Sequence, residues 1–238
     1  MKKPVTLYIL LLALSIGVLF LLNLFLGSVD IPFRSIWNIL WGMDEGESVI
    51  WQNIIWKSRV PQALTAMVAG AGLAVSGLQM QTVFRNPLAG PSVLGISSGA
   101  SLGVAFVVLL SGSIGGIALS RLGFMGEIAL TMAAIIGALS IMALIVYVSQ
   151  KVHGNVTLLI IGVMIGYVAN AVIGVLKFFS VEEDIRAYVI WGLGSFARVS
   201  GNQMMVFVCI MAVLLPLSFL LIKTLNLLLL GDAYARNL

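Results

Sequence analysis

Residues able to do acid–base, redox or metal chemistry are scarce in this chain. There is one histidine, His153, and one cysteine, Cys209. His153 stands in "KVHGN" with no second histidine or carboxylate at ligand spacing, so no metal site and no cofactor is expected there. Cys209 lies inside an apolar run, where a packing role is the default. No G-x-x-x-x-G-K-[ST] occurs, so the chain does not itself hold ATP through a P-loop. Polar and helix-breaking residues gather at one place, "FRNPLAGPSVLGISSGAS", Phe84 to Ser101. Pro87 and Pro91 remove backbone donors, and irregular backbone at membrane depth is tolerated only where it lines a cavity or is buried in protein. Gln79, Gln81, Ser97 and Ser98 are uncharged polar groups that could face a pathway, although a serine in a membrane helix also bonds back to its own backbone.

The elements that must carry these residues are membrane helices. The chain is 61% hydrophobic and 9% charged, against about 45–50% apolar and about 25% charged in an ordinary soluble domain. A crossing helix needs roughly 20 apolar residues. Six runs qualify: Val5 to Leu26, Val60 to Phe84, Ser92 to Ser111, Ile128 to Ser149, Val156 to Leu176 and Val199 to Ile222. None holds an Asp, Glu, Lys or Arg in its interior, which speaks against a proton-coupled carrier with a buried ionisable group. The first run is longer than a signal-peptide core and lacks a cleavage pattern, so it reads as a retained helix.

Between the first two runs, Phe33, Ile36, Trp37 and Leu40 recur at helical spacing, with Asp30 as a possible N-cap and Pro32 in the first turn. This helix lies on the membrane surface or packs on the protein itself, and the spacing leaves both open. "AYVIWGLGSFA", Ala187 to Ala197, is too short to cross and reads as re-entrant or interfacial. Gly95, Gly99 and Gly103, and Gly162 and Gly166, recur every four residues and suit close helix packing. The fold class is therefore all-α: one polytopic membrane helix bundle over residues 1–238, with short interfacial helices.

With a cytoplasmic N-terminus, the basic residues do not decide orientation: six fall inside and seven outside. The acids separate better, because only Asp232 falls inside. All five tryptophans (Trp37, Trp41, Trp51, Trp56 and Trp191) fall outside, at the headgroup level that indole rings favour. The net charge of +4 comes without a Lys/Arg cluster, so no nucleic-acid partner is expected.

The run "SRVPQALTAMVAGAGLAVSGLQMQTVFRNPLAGPSVLGISSGASLG", Ser58 to Gly103, closely resembles the permease subunits of type II ABC importers, the family of siderophore, haem and cobalamin uptake. "LLIIGVMIGYVANAV" resembles the family's fifth helix, and "LNLLLLGDAYARNL" its cytoplasmic coupling segment. The resemblance implies a ten-helix subunit of which this chain supplies six, a C-terminally incomplete permease. It further implies a homodimer in the bacterial inner membrane, with cytoplasmic ATPase subunits and a periplasmic substrate-binding protein, for an iron complex or, alternatively, cobalamin; the residues alone also leave open a secondary transporter or a truncated membrane protein that transports nothing. By position it gives Asn86 and Leu88 an inner-gate role, and Asn155 and Val156 a second gate element. Gly231, Asp232, Tyr234 and Arg236 fall in the ATPase-coupling segment. Arg59 falls at a binding-protein docking position whose second arginine is Gln62 here.

Overall fold

The computed structural model describes residues 5–43, 46, 48–114, 124–152, 154–197 and 199–230. Every regular element among them is helical: α1 Val5–Phe25, α2 Phe33–Leu40, α3 Val49–Ile54, α4 Val60–Phe84, α5 Ile96–Ile114, α6 Phe124–Ser149, α7 Asn155–Phe179, α8 Glu182–Leu193, α9 Gly201–Phe219 and α10 Ile222–Leu230. Among the described residues five helices are long and apolar enough to cross a membrane, and Ile96–Leu110 within α5 is a shorter apolar helix. α1 shows why: its 21 residues span about 31 Å, the thickness of the hydrocarbon core, and apolar side chains cover it all round. The protein is a multi-pass membrane protein.

α4 covers the expected Val60–Phe84, but α3 runs into it through a π-helical turn, Ile55–Arg59, making one helical stretch Val49–Phe84. Lys57 and Arg59 look like a loop in sequence, yet helix propagation is indifferent to charge. The π turn sits where Pro61 has no N–H for the preceding turn. Other boundaries differ from the hydropathy reading, and α6 starts four residues early, at Phe124. α5 starts four residues late, because Val93 N–H bonds Gly90 O and Gly95 N–H bonds Ser92 O in tight turns. α8 starts earlier than the apolar run Ala187 to Ala197. Glu182, Glu183 and Asp184 form its first turn, where the helix dipole favours them. At 12 residues, about 18 Å, α8 is too short to cross. α2 begins at Phe33 with Pro32 at the N-cap and no side-chain cap, so Asp30 does not serve that role.

The chain divides into two compact units: Met1–Gly72 with Ser195–Leu217, and Leu73–Gly194 with Ser218–Leu238. In the first, Ile36 and Ile39 on one face of α2 are buried with Ile31 and Ile55, against Trp51, Ile54 and Val60. The opposite face carries stacked rings. Phe33 lies 4.7 Å from Phe25 and 6.4 Å from Trp37, and Trp37 lies 5.8 Å from Trp41.

In the second unit, glycines set the helix spacing. A Cβ on Gly99 would stand 2.7 Å from the Gly137 carbonyl oxygen, and one on Gly162 would stand 2.8 Å from Leu94 Cα. Backbone meets backbone there, which any side chain would prevent. One core of this unit joins Val104, Ala105, Val108, Leu109, Ile173 and Tyr188, so α8 rests on α5 and α7. Ser180 fastens the same end by donating to Leu109 O and Leu176 O. A second core joins Phe84, Ala89, Leu94, Ile145 and Leu159. The unit is thus polar end to end: Glu182, Glu183, Asp184 and Trp191 belong to α8 beside the first core, whereas Arg85 and Lys151 follow helices that end at the second.

Candidate functional site

The "NPLA" turn is built by the end of α4. Asn86 N–H bonds Gln81 O at 3.1 Å and Arg85 N–H bonds Thr82 O at 3.3 Å, the paired bonds of a Schellman stop. That motif puts its C′ residue in the left-handed region, where glycine is usual, and here Arg85 stands there with φ 47°. The conformation disfavours an L-residue by roughly 1–2 kcal/mol. Next, Asn86 Oδ1 accepts the Leu88 N–H at 2.9 Å and Asn86 O accepts the Ala89 N–H at 3.0 Å. Asparagine and proline together close this turn, as their side-chain acceptor and fixed φ allow. Ala89 is buried in the second core while Leu88 projects outward, 84% exposed.

Beyond the turn lies a cleft of about 310 Å³ between the start of α5 and the middle of α7. Ser92, Val93, Gly95 and Ser98 line one side, and Val163, Gly166, Tyr167 and Asn170 the other. Glycine makes the two walls close: Gly95 takes φ 74°, and a Cβ on it would meet Gly162 O at 2.8 Å. The lining offers hydroxyls, a phenol and an amide, and no carboxylate, lysine or arginine. Such a surface hydrogen-bonds a passing solute without holding it by fixed charge.

The expected residues fall into three groups. Ser98 lines the cleft, and its Oγ lies 3.3 Å from where a Cβ on Gly166 would be. Val156, 69% exposed, shares the α7 stripe of Val163, Tyr167 and Asn170, at steps of seven, four and three residues. The Asn86–Ala89 turn and the first turns of α7 meet in one core through Ala89 and Leu159. Gln79 is half-buried on α4 and Ser97 exposed on α5, and neither lines the cleft. Asn155 opens α7, but its side chain, like Gly231, Asp232, Tyr234 and Arg236, lies outside what is described. Tyr167 and Asn170 line the cleft as well and were not among the expected residues. Asn170 is the one amide of α7 past its first residue, and that oddity inside an apolar run was the available signal.

Arg59 has a different geometry from a docking residue. It is 5% exposed, and its guanidinium donates to Leu24 O at 2.6 Å, Phe25 O at 3.2 Å and Val29 O. These carbonyls belong to the last turn of α1 and the chain just after it, where backbone acceptors lack helical partners and the dipole is negative. Gly27 makes the room, since a Cβ there would lie 2.7 Å from Nη2. To meet another protein, Arg59 would have to leave all three acceptors.

At the α8 end of the second unit, Tyr188 is buried under Lys177, whose Nζ sits 4.8 Å from the ring centroid. Burial pushes the Tyr188 phenol above its ordinary value of 10.0, partly offset by a hydrogen bond with Ser101.

The signature of the FecCD transport family matches residues 12–238. The chain belongs to the FecCD transport family. Two relatives are similar along most of it. The hemin transport system permease of Yersinia pestis is 35% identical over 214 residues, 90% of this chain and 60% of the relative. The vitamin B12 import system permease of Serratia proteamaculans is 35% identical over 232 residues, 97% of this chain and 63% of the relative. The chain thus spans about three fifths of the length of these relatives. A solved inward-facing conformation of a metal-chelate type ABC transporter superposes with a TM-score of 0.75 at 26% identity, covering 99% of this chain and 68% of that one.

Proposed function

We propose that this FecCD-family chain forms the translocation pathway of an ATP-driven importer for a bulky metal chelate, an iron–siderophore or haem complex. The observation that carries the reading is the uncharged cleft lined by Ser98, Tyr167 and Asn170, between α5, which holds no charged residue, and α7, whose one charged residue, Lys177, stands in the last turn away from the cleft. Neutral walls let a large chelate pass without a deep energy well. Cobalamin is the second cargo, favoured by the B12 permease relative. Of the three breaks between the two compact units, two fall inside α4 and α9 and the third just after α8, which supports reading residues 1–238 as one permease domain.

In this reading two subunits pair in the bacterial inner membrane with N-termini in the cytoplasm. The end of the second unit that carries Arg85 and Lys151 faces inward, and the end with Glu182, Glu183, Asp184 and Trp191 faces a periplasmic binding protein. Lys151 marks the inner boundary by bonding Tyr147 Oη at 2.7 Å, the amphipathic pairing expected at a headgroup layer. The Asn86–Leu88 turn and the start of α7 at Asn155 and Val156 form the inner gate, with Gln79 and Ser97 on the pathway side in the assembled dimer. ATPase subunits hydrolyse ATP and act on the segment containing Gly231, Asp232, Tyr234 and Arg236.

The test is uptake by the protein reconstituted with its ATPase and binding protein, offering ferric siderophore, hemin and cobalamin in parallel. ATP-dependent uptake of one of them is expected. Asn170→Leu lowers it by roughly tenfold, the size of one lost hydrogen bond of about 1.4 kcal/mol. Uptake indifferent to ATP and driven by a proton gradient refutes the reading.

A further inference from the structure

We propose that Arg85 is a positioning residue that ties the "NPLA" turn to the end of α10, so that the two shift together. Among the described residues it is the one non-glycine with positive φ. Glycine would stop α4 with less strain, so the side chain is the part of Arg85 that the stop does not need. That side chain reaches 143 residues along the chain, where Nη2 donates to Leu228 O at 2.8 Å. Leu228 lies in the last turn of α10, among carbonyls without helical partners at the negative end of the dipole. The bond is exposed and adds little stability, so its content is geometric.

On the other side of Arg85 the linkage is stiff. Asn86 begins a turn closed by two hydrogen bonds, and Ala89 pins that turn into the core with Phe84, Ile145 and Leu159. A displacement of the α10 end therefore acts on the α4–α5 junction through the Arg85 side chain. The residue after α10 is Gly231, the start of the segment assigned above to the ATPase. For its consequence the inference rests on the importer reading; for its geometry it does not. Coupling of this kind requires an element that both ends bias, and the turn is that element.

The experiment has two readouts on the complex of the chain with its ATPase and binding protein, in lipid nanodiscs for distances and in liposomes for transport. In a Cys209→Ser background, spin labels go on Gln81→Cys and Asn226→Cys, two exposed positions flanking the contact. In the unsubstituted Arg85 protein the distance between the two labels of one subunit, the shortest of the distances in the dimer, has a narrow distribution. Arg85→Gly, which suits the left-handed backbone and so preserves the helix stop, broadens it. In the label-free complex the same substitution lowers chelate uptake per ATP hydrolysed by about tenfold, within the usual range of coupling between sites. Arg85→Lys, which keeps a cation of shorter reach, restores part of both. A narrow distribution in Arg85→Gly, or a broad one with unchanged uptake per ATP, overturns the proposal. If the Arg85 protein itself shows no ATP-driven uptake, the importer reading fails, and the distances alone decide whether Arg85 makes the tie.

Discussion

Arg59→Gln tests whether this arginine builds the fold or meets a partner. The guanidinium is buried and satisfies carbonyls of Leu24, Phe25 and Val29 at the end of α1. Hydrogen bonds to a charged group contribute about 1.5–3 kcal/mol each, and a cation at a partly buried helix C-terminus up to about 2 kcal/mol. These do not add, and removing a buried charge also returns its desolvation penalty. The expected net loss is therefore about 3 kcal/mol, less than the three bonds summed. In a chain of this length that lowers the thermal midpoint on the order of 10 °C. Arg59→Lys, with a point charge in place of the fork, loses about half as much. Gly27→Ala pushes a Cβ against Nη2 and repeats the damage from the other side. Since both changes break one contact, their effects combine to less than their sum. Midpoints come from intrinsic tryptophan fluorescence in detergent, beside capture of the binding protein on the same samples. If Arg59→Gln leaves the midpoint unmoved and abolishes capture, the buried-cap reasoning is refuted and Arg59 is a surface docking residue.

Three further outcomes are expected. Gly137→Leu forces α6 from α5, where Gly99 and Gly103 leave no room, and lowers stability by about 1–3 kcal/mol or prevents a monodisperse preparation; a wild-type midpoint would contradict the backbone contact. Tryptophan fluorescence from Trp37 and Trp41, isolated by replacing the other three tryptophans with phenylalanine, is quenched more by lipids brominated near the headgroup than near the chain end, because the rings face away from the buried side of α2; no quenching by either would place a protein surface over them. Tyr188 titrates above its ordinary value through burial, so the unfolded chain loses this proton first. The stability it supports is full below pH 10 and lost as pH rises toward its folded pKa; alkaline unfolding unchanged in Tyr188→Phe would count against this.

Much of the architecture was legible because hydropathy is a local property. α1, α4 and α7 begin or end within a few residues of their apolar runs, since twenty apolar residues have one stable environment. The glycine spacings 95/99/103 and 162/166 were legible as contact surfaces, though not which helices they would join: α5 meets α6 through Gly99 and Gly103, and α7 through Gly95. The turn at Asn86–Ala89 was equally readable, because asparagine and proline impose their geometry on neighbours two residues away.

The direction of single side chains was not legible. Read as a line, Arg59 stands beside Lys57 at a membrane edge, where water is the natural surrounding of both. A π turn inserts one extra residue and swings the following side chains about a quarter turn around the helix, and Arg59 then falls under the end of α1. Tyr167 and Asn170 became a site only when α5 brought Ser98 opposite them, and Arg85 became a link only when α10 returned to it from 143 residues away. Composition and periodicity determined that this chain is a bundle of membrane helices with a neutral interior and a broken hairpin after α4. Tertiary structure decided which polar groups face a cleft, a carbonyl or lipid, because that depends on helix rotation and on contacts between residues far apart in the chain.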